Sequence, residues 1–207
     1  TCLAVDGDVL WSGSRDREIA IWQKRGGELS REAAFQAHQG TVLSLRELPD
    51  GAFLSTGADD TLKVWERSGQ LRRQCATGPW PWTALQLPDG RFLVGCDDGL
   101  LQLVTTHSKE PAVWQTLPSG VTSLLFSDGI ILAGCRDGAI RRYQIHGREL
   151  PSWTGHRGPV TSLLALDDGA ILSGSEDDGV RVWREGASQE VVHHDDFVRA
   201  LCLSTGR

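Results

Sequence analysis

Ile171-Leu-Ser-Gly-Ser-Glu-Asp-Asp-Gly-Val-Arg-Val-Trp183 is the stretch that decides the fold. An apolar pair runs into a small Ser-Gly-Ser tail, Asp177-Asp178-Gly179 makes a tight turn, and Val180-Arg-Val-Trp183 alternates as a strand half-exposed to water. The same strand-turn-strand pattern stands at LWSGSRDREIAIW (Leu10–Trp22), FLSTGADDTLKVW (Phe53–Trp65), FLVGCDDGLLQLV (Phe92–Val104) and ILAGCRDGAIRRY (Ile131–Tyr143). Measured between the turn aspartates Asp16, Asp59, Asp98, Asp137 and Asp177, the steps are 43, 39, 39 and 40 residues. A constant period of this size means one supersecondary unit reused, each copy burying its faces against its neighbours.

Around each block lie two more strand signals. An apolar first strand precedes it, as in Thr41–Leu45, Val121–Leu125 and Val160–Leu164, joined by Pro49-Asp50-Gly51, Pro88-Asp89-Gly90, Ser127-Asp128-Gly129 or Asp167-Asp168-Gly169. Asp-Gly suits a hairpin because both residues tolerate the positive φ of two-residue turns. A more polar fourth strand follows a second short turn at Ser68-Gly69, His146-Gly147 or Glu185-Gly186. Sustained helical periodicity is missing throughout. Four hairpin-linked strands per repeat make a meander, and small sheets at this period pack radially as the blades of an all-β propeller. The repeats are read as 1–37, 38–78, 79–117, 118–155 and 156–194, with a partial copy at 195–207. At the ends, Thr1–Val5 reads as a clipped first strand aligned with Ser162–Leu166. Phe197–Leu203 reads as the first strand of a sixth blade. Two innermost strands cannot occupy one slot, so five blades and the opening strand of a sixth are expected to be cut from a longer ring; with no methionine in its 207 residues, the chain is expected to be a processed piece or an excerpt from a longer protein.

Composition narrows the function. A net charge of −6 lacks the positive field that non-specific nucleic-acid binding needs. No apolar run approaches the roughly 18 residues of a membrane span. The five cysteines, Cys2, Cys75, Cys96, Cys135 and Cys202, form no CxxC pair, which points to a reducing, intracellular and cytoplasmic setting with buried, inert thiols.

The blocks resemble WD40 repeats, in which Gly-His precedes the first strand and Trp-Asp ends the third. Gly155-His156, Ser173, Asp177 and Trp183 match that pattern best, and His38, Ser55, Asp59 and Trp65 match with Ala37 in place of the glycine. The resemblance implies a structural tetrad at these positions: carboxylate to imidazole, imidazole to hydroxyl, indole N–H to the remaining acceptor. Ser12, Asp16 and Trp22 keep three of its members, the histidine falling upstream of Thr1. The third and fourth repeats depart, with Val94 and Ala133 in the serine slot, Val104 and Tyr143 in the tryptophan slot and no histidine, so packing and turn chemistry are expected to hold them. His194 reads as the tetrad histidine of the sixth blade. A narrower likeness, carried by Gly138–Leu150 and Gly155-His156, is to the propeller of the phospholipase A2-activating, ubiquitin-binding family.

The resemblance implies a non-catalytic scaffold that binds other proteins or peptides, ubiquitin being the finer expectation, with no cofactor, metal, nucleic acid or membrane partner. The residue before each turn aspartate is expected to point outward from the binding face: Arg15, Ala58, Asp97, Arg136 and Glu176. Trp80 in Gly78-Pro-Trp-Pro-Trp82 joins them as an interface candidate, as do Phe197 and Arg199, whereas Trp82 aligns with Val42 and Val160 and is expected in the core. Trp114 and Trp153 read as packing between outer strands. Two other readings compete with this one. A Ser-His-Asp trio suggests a hydrolase, but its recurrence in separate repeats is the behaviour of structural glue; an enzyme would instead place acids or a metal in the central channel. His193-His194-Asp195-Asp196 suggests a metal, but reads better as a solvated loop before a strand.

Overall fold

The computed structural model describes residues 1–105, 110–185 and 187–202. Strands account for all regular structure there, as five four-stranded antiparallel sheets in simple meander order. Blade 1 holds β1 (Cys2–Asp6), β2 (Val9–Gly13), β3 (Glu18–Arg25) and β4 (Glu28–Gln36). Blade 2 holds β5 (Val42–Glu47), β6 (Phe53–Gly57), β7 (Thr61–Trp65) and β8 (Leu71–Ala76). Blade 3 holds β9 (Pro81–Gln86), β10 (Phe92–Cys96), β11 (Leu100–Val104) and β12 (Ala112–Thr116). Blade 4 holds β13 (Val121–Ser127), β14 (Ile130–Cys135), β15 (Ile140–Gln144) and β16 (Glu149–Trp153). Blade 5 holds β17 (Val160–Ala165), β18 (Ile171–Ser175), β19 (Gly179–Arg184) and β20 (Ala187–His193). Blades 1 to 3 fall in one compact unit, Thr1–Thr116, and blades 4 and 5 in a second, Leu117–Arg207. Among the described residues no helix is long and apolar enough to cross a membrane.

Burial explains the apolar runs. β6 and β10 are buried at every position, because each second strand lies between neighbouring sheets and needs apolar residues on both faces. In the first unit Trp11 stacks on Phe53 at 4.2 Å between ring centroids, and Ile19, Val42 and Trp65 close around them. A second cluster joins Leu54, Leu62 and Val64 of blade 2 to Phe92, Val94 and Cys96 of blade 3. In the second unit Trp153 lies flat on Trp183, 5.3 Å away, beside Ile140, Val160 and Ile171. Each fully buried large side chain stabilises its unit by about 1.5–3 kcal/mol. The outer strands are solvated: β20 is exposed along its whole length.

A polar clasp recurs at three joints between successive repeats. The Thr1 hydroxyl sits 2.9 Å from Gly13 O of its own blade and 2.6 Å from Val42 O of the next. Thr122 repeats this with Gly134 O at 3.0 Å and Val160 O at 2.6 Å, and Thr161 with Gly174 O and Val198 O. The glycine is required there. A Cβ on Gly13 would fall 2.6 Å from Val42 Cγ1, and one on Gly174 would fall 2.5 Å from Val198 Cγ1.

Three local expectations change. Thr1–Val5 is shifted by one residue: Cys2 faces Gly13 as Ser162 faces Gly174, so Thr1 takes the place of Thr161. A one-residue slip would turn every side chain to the opposite face, and the Thr1 clasp selects this register. Of the Asp-Gly turns, the two-residue form with both φ positive is adopted by Asp128-Gly129; at Gly51, Gly90 and Gly169 the glycine is positive and its aspartate is not. There, bonds such as Leu48 N to Ala52 O and Gly51 N to Leu48 O close a three-residue loop, for which proline at the first position is pre-set. Finally, Phe197–Cys202 is assigned no strand, although Val198 is buried and donates its N–H to Ser175 O at 3.0 Å. Gly186 and Leu203 lie outside the described residues.

Candidate functional site

The tetrads form in blades 2 and 5. Trp65 Nε1 donates to Ser55 Oγ at 2.8 Å, Ser55 Oγ meets His38 Nε2 at 2.7 Å, and His38 Nδ1 meets Asp59 Oδ1 at 2.9 Å. In blade 5 the distances are 2.7, 2.6 and 3.0 Å through Trp183, Ser173, His156 and Asp177. The bonds are all satisfied when Nδ1 carries the proton, so that a neutral imidazole accepts from serine and donates to aspartate. Burial holds both histidines below their ordinary value, outweighing the aspartate that pulls the other way. Burial alone would push Asp59 and Asp177 up; the N–H groups of Gln39 and Arg157 and the histidines hold them low. Neither histidine side chain is exposed, and Ser55 and Ser173 are wholly buried. A serine sealed under an indole cannot meet a substrate, so the trio ties the loop entering the blade to the turn after its second strand. In blade 1, Trp22 Nε1 donates to Ser12 Oγ at 2.8 Å and Asp16 caps the Glu18 N–H.

In the departing blades a long polar side chain that sequence reasoning missed takes over part of the histidine's work. Four residues after the turn aspartate stands a long polar side chain: Lys63, Gln102, Arg141 and Arg181. In blade 3 the buried Gln102 accepts the Gly78 N–H of the entering loop at 2.7 Å. In blade 4 Arg141 forks onto Asp137 at 3.0 and 2.6 Å, the place an imidazole would fill. Asp137, in turn, receives its strongest lowering influence from Arg141. A long polar residue at that spacing in repeats lacking histidine was the available signal.

The outward residues divide by unit. In the first, Arg15 is exposed, while Ala58 and Asp97 are half-buried. Trp80 is 47% exposed with φ at +48°. Trp82 is half-buried instead of packed in the core, and its ring stacks on Trp80 with centroids 5.8 Å apart. It stays at the surface because its indole N–H donates to Asp97 Oδ1 at 2.8 Å. Trp80 N donates to Asp60 Oδ1 at 3.0 Å, and Asp97 N donates to Trp80 O at 3.2 Å. In the second unit Arg136 is exposed and Glu176 half-buried, and the Arg199 guanidinium lies 5.5 Å from the centroid of the exposed Phe197 ring. His193 to Asp196 are all exposed, and His194 N donates to Asp178 O as His38 N does to Arg17 O. His194 thus keeps the backbone place of a tetrad histidine with its side chain in solvent. Trp153, on β16, packs against the third-strand Trp183 of the next blade and carries the Arg142 guanidinium 4.3 Å from its centroid.

The family model described as WD domain, G-beta repeat matches residues 29–66 and 147–184. The solved WD40 beta propeller domain of Doa1 superposes with a TM-score of 0.85 at 25% identity, over 97% of this chain and 71% of that one. Eukaryotic translation initiation factor 3 subunit I of Neurospora crassa is 37% identical over 68 residues, 32% of this chain and 19% of its own length. Type II inositol polyphosphate 5-phosphatase 15 of Arabidopsis thaliana is 42% identical over 64 residues, which is 30% of this chain and 6% of the enzyme. The chain therefore spans less than a fifth of these curated relatives.

Proposed function

Because this chain is a member of the WD40-repeat β-propeller family, we propose that it serves as a non-catalytic protein-interaction scaffold, presenting loops from rigid blades. The observation that carries this reading is the division of labour in the tetrad blades. Their reactive-looking groups are sealed inside, while the residue before each turn aspartate, or the loop beside it, reaches the surface. Loops pinned in this way lose little conformational freedom when a partner docks. Arg15 and Arg136, with Asp97 and Glu176, make mixed-sign surfaces suited to a folded protein or charged peptide.

A finer reading is ubiquitin recognition in protein quality control. It is supported by the likeness of Gly138–Leu150 and Gly155-His156 to the propeller of the phospholipase A2-activating, ubiquitin-binding family. Affinity capture with wild type against Arg15→Glu plus Arg136→Glu tests the scaffold, with purified ubiquitin run alongside. Loss of a partner from the folded variant supports the chosen loops. An unchanged partner set rejects these loops, capture of nothing rejects the scaffold, and failure to retain ubiquitin rejects the finer reading.

A further inference from the structure

We infer that the face of blade 1 turned away from blade 2 pairs two copies of this chain in solution. Side chains alternate along each strand, and those on this face run in two rows across the sheet. Val5, Leu10 and Trp22 make one row, and Leu3, Ser12 and Ala20 make the other. At the matching places in blade 2, Leu45, Phe53 and Trp65 are buried in one cluster with Trp11 and Ile19 of blade 1. In blade 1 the face is open: Leu3 is 65% and Val5 59% exposed, and Leu10 and Trp22 are half-buried. Nor is it built like the faces that receive a neighbouring blade. Opposite the serine-slot residues Ser55, Val94 and Ser173 stand the long side chains of Lys63, Gln102 and Arg181, whereas opposite Ser12 stands Ala20.

The face fits itself. Take a two-fold axis lying in the face, across the strands and between the two rows. It lays each strand over its counterpart in the second copy, with the rows exchanged. Trp22 then stands over the other copy's Ala20, Leu10 over Ser12, and Val5 over Leu3, so the bulky row meets the smaller one. One step beyond each row on the same face of β3 lie Lys24 and Glu18, and the axis brings them together in two symmetric ion pairs. Lys24 is exposed, and Glu18 keeps 37% of its side chain exposed beside Arg31. An unrelated sheet would have to match size and charge separately; a second copy brings both by symmetry. Four strands about 4.8 Å apart and seven residues long give a face of about 450 Å². Two such faces bury about 1,000 Å² in all, near the lower bound of specific interfaces, which suits a dissociation constant of about 10–100 µM. The pairing does not depend on which loops bind other proteins, and it would present every loop twice.

Sedimentation velocity of the 207-residue chain between about 1 and 300 µM tests this. Monomer should give way to dimer, and no larger species, as concentration rises. Leu3→Asp with Val5→Asp should abolish the dimer and leave the chain folded, since both side chains are exposed. Ala20→Arg, which places on blade 1 the long side chain that blade 5 carries there, should abolish it as well. Should Ala20→Arg unfold, the aspartate pair decides the matter. Lys24→Glu should weaken association about tenfold, by losing two ion pairs and opposing like charges, and adding Glu18→Lys should restore it. A chain still monomeric at the highest concentration, a dimer that survives the aspartate pair, or a charge exchange that restores nothing would each overturn the proposal. So would a monomeric chain whose captured partners are lost from the aspartate variant, which would assign the face to another protein.

Discussion

Replacing Ser55 by alanine should cost more than replacing Ser12, although both serines accept an indole N–H. Ser55 stands between Trp65 Nε1 and His38 Nε2, at 2.8 and 2.7 Å, with no solvent access. Removing its hydroxyl leaves a buried donor and a buried acceptor without partners. Each orphaned group costs about 1–3 kcal/mol, so Ser55→Ala should lose about 2–4 kcal/mol after partial relaxation. Ser12 is only half-buried, and water can reach the vacated site, so Ser12→Ala should lose about 1 kcal/mol. Urea unfolding followed by tryptophan fluorescence and by far-ultraviolet circular dichroism gives both values, and coincident transitions license a single free energy. Trp65→Phe removes the donor by another route, so combining it with Ser55→Ala should cost less than the sum, with a coupling of about 1 kcal/mol. A Ser55→Ala loss below about 0.5 kcal/mol, or one no larger than for Ser12→Ala, would refute the argument that this network holds the blade.

Acidification should destabilise the protein through the same network. His38 and His156 have folded values below the 6.5 of a free imidazole, so between the two values the unfolded chain binds protons that the folded chain does not. Stability should be level above that point, fall as pH drops below 6.5, and stop falling on this account at the folded values; a urea midpoint that rises on going from neutral pH toward 5.5 would contradict it. Gly13→Ala should lose about 1–3 kcal/mol, because its Cβ would drive into Val42, and adding Val42→Ala should restore part of the loss of the single variant. If thermal melting shows Gly13→Ala unchanged, the close approach of the two strands is wrong. Burial pushes the Cys96 thiol up to about 12 and Cys135 up to about 11, so a maleimide at neutral pH should modify the exposed Cys202 and spare both until the chain unfolds. Mass mapping that finds Cys96 or Cys135 modified in native protein would reject this.

Much of the blade architecture was legible because turn chemistry and periodicity are local. Aspartate beside glycine, with apolar strands on both sides, announces a hairpin wherever it occurs. The tetrads of blades 2 and 5 could likewise be assigned residue by residue. What escaped depended on neighbours distant in sequence. The register of Thr1–Val5 was misread by one residue because the segment reads as apolar on either face, and only the reach of Thr1 to Val42 fixes it. Trp82 aligned with core valines, yet an indole carries an N–H that a valine lacks, and Asp97 satisfies that group at the surface. Gln102 and Arg141 looked like ordinary strand residues until their partners, the Gly78 N–H of the entering loop and the turn aspartate Asp137, came into place. Of the candidate interface, the tryptophan loop was visible as a motif, but the stacking of its rings was not.

The threonine clasps bear on how such a chain can change over evolutionary time. Thr1, Thr122 and Thr161 each reach past their own blade to a main-chain oxygen, and a carbonyl is the same group whatever side chain it accompanies. The joint asks its receiving blade for little beyond a valine that fits against a glycine. A duplication that copied a threonine-bearing repeat would bring a hydroxyl to a carbonyl at the new seam, whereas repeats 2 and 3, with Leu43 and Trp82 at that position, would not. Repeats that carry the threonine are therefore the ones whose number can drift while the seams keep their chemistry. The divergence of Val94, Ala133, Val104 and Tyr143 from the tetrad pattern shows individual units using the same latitude within themselves.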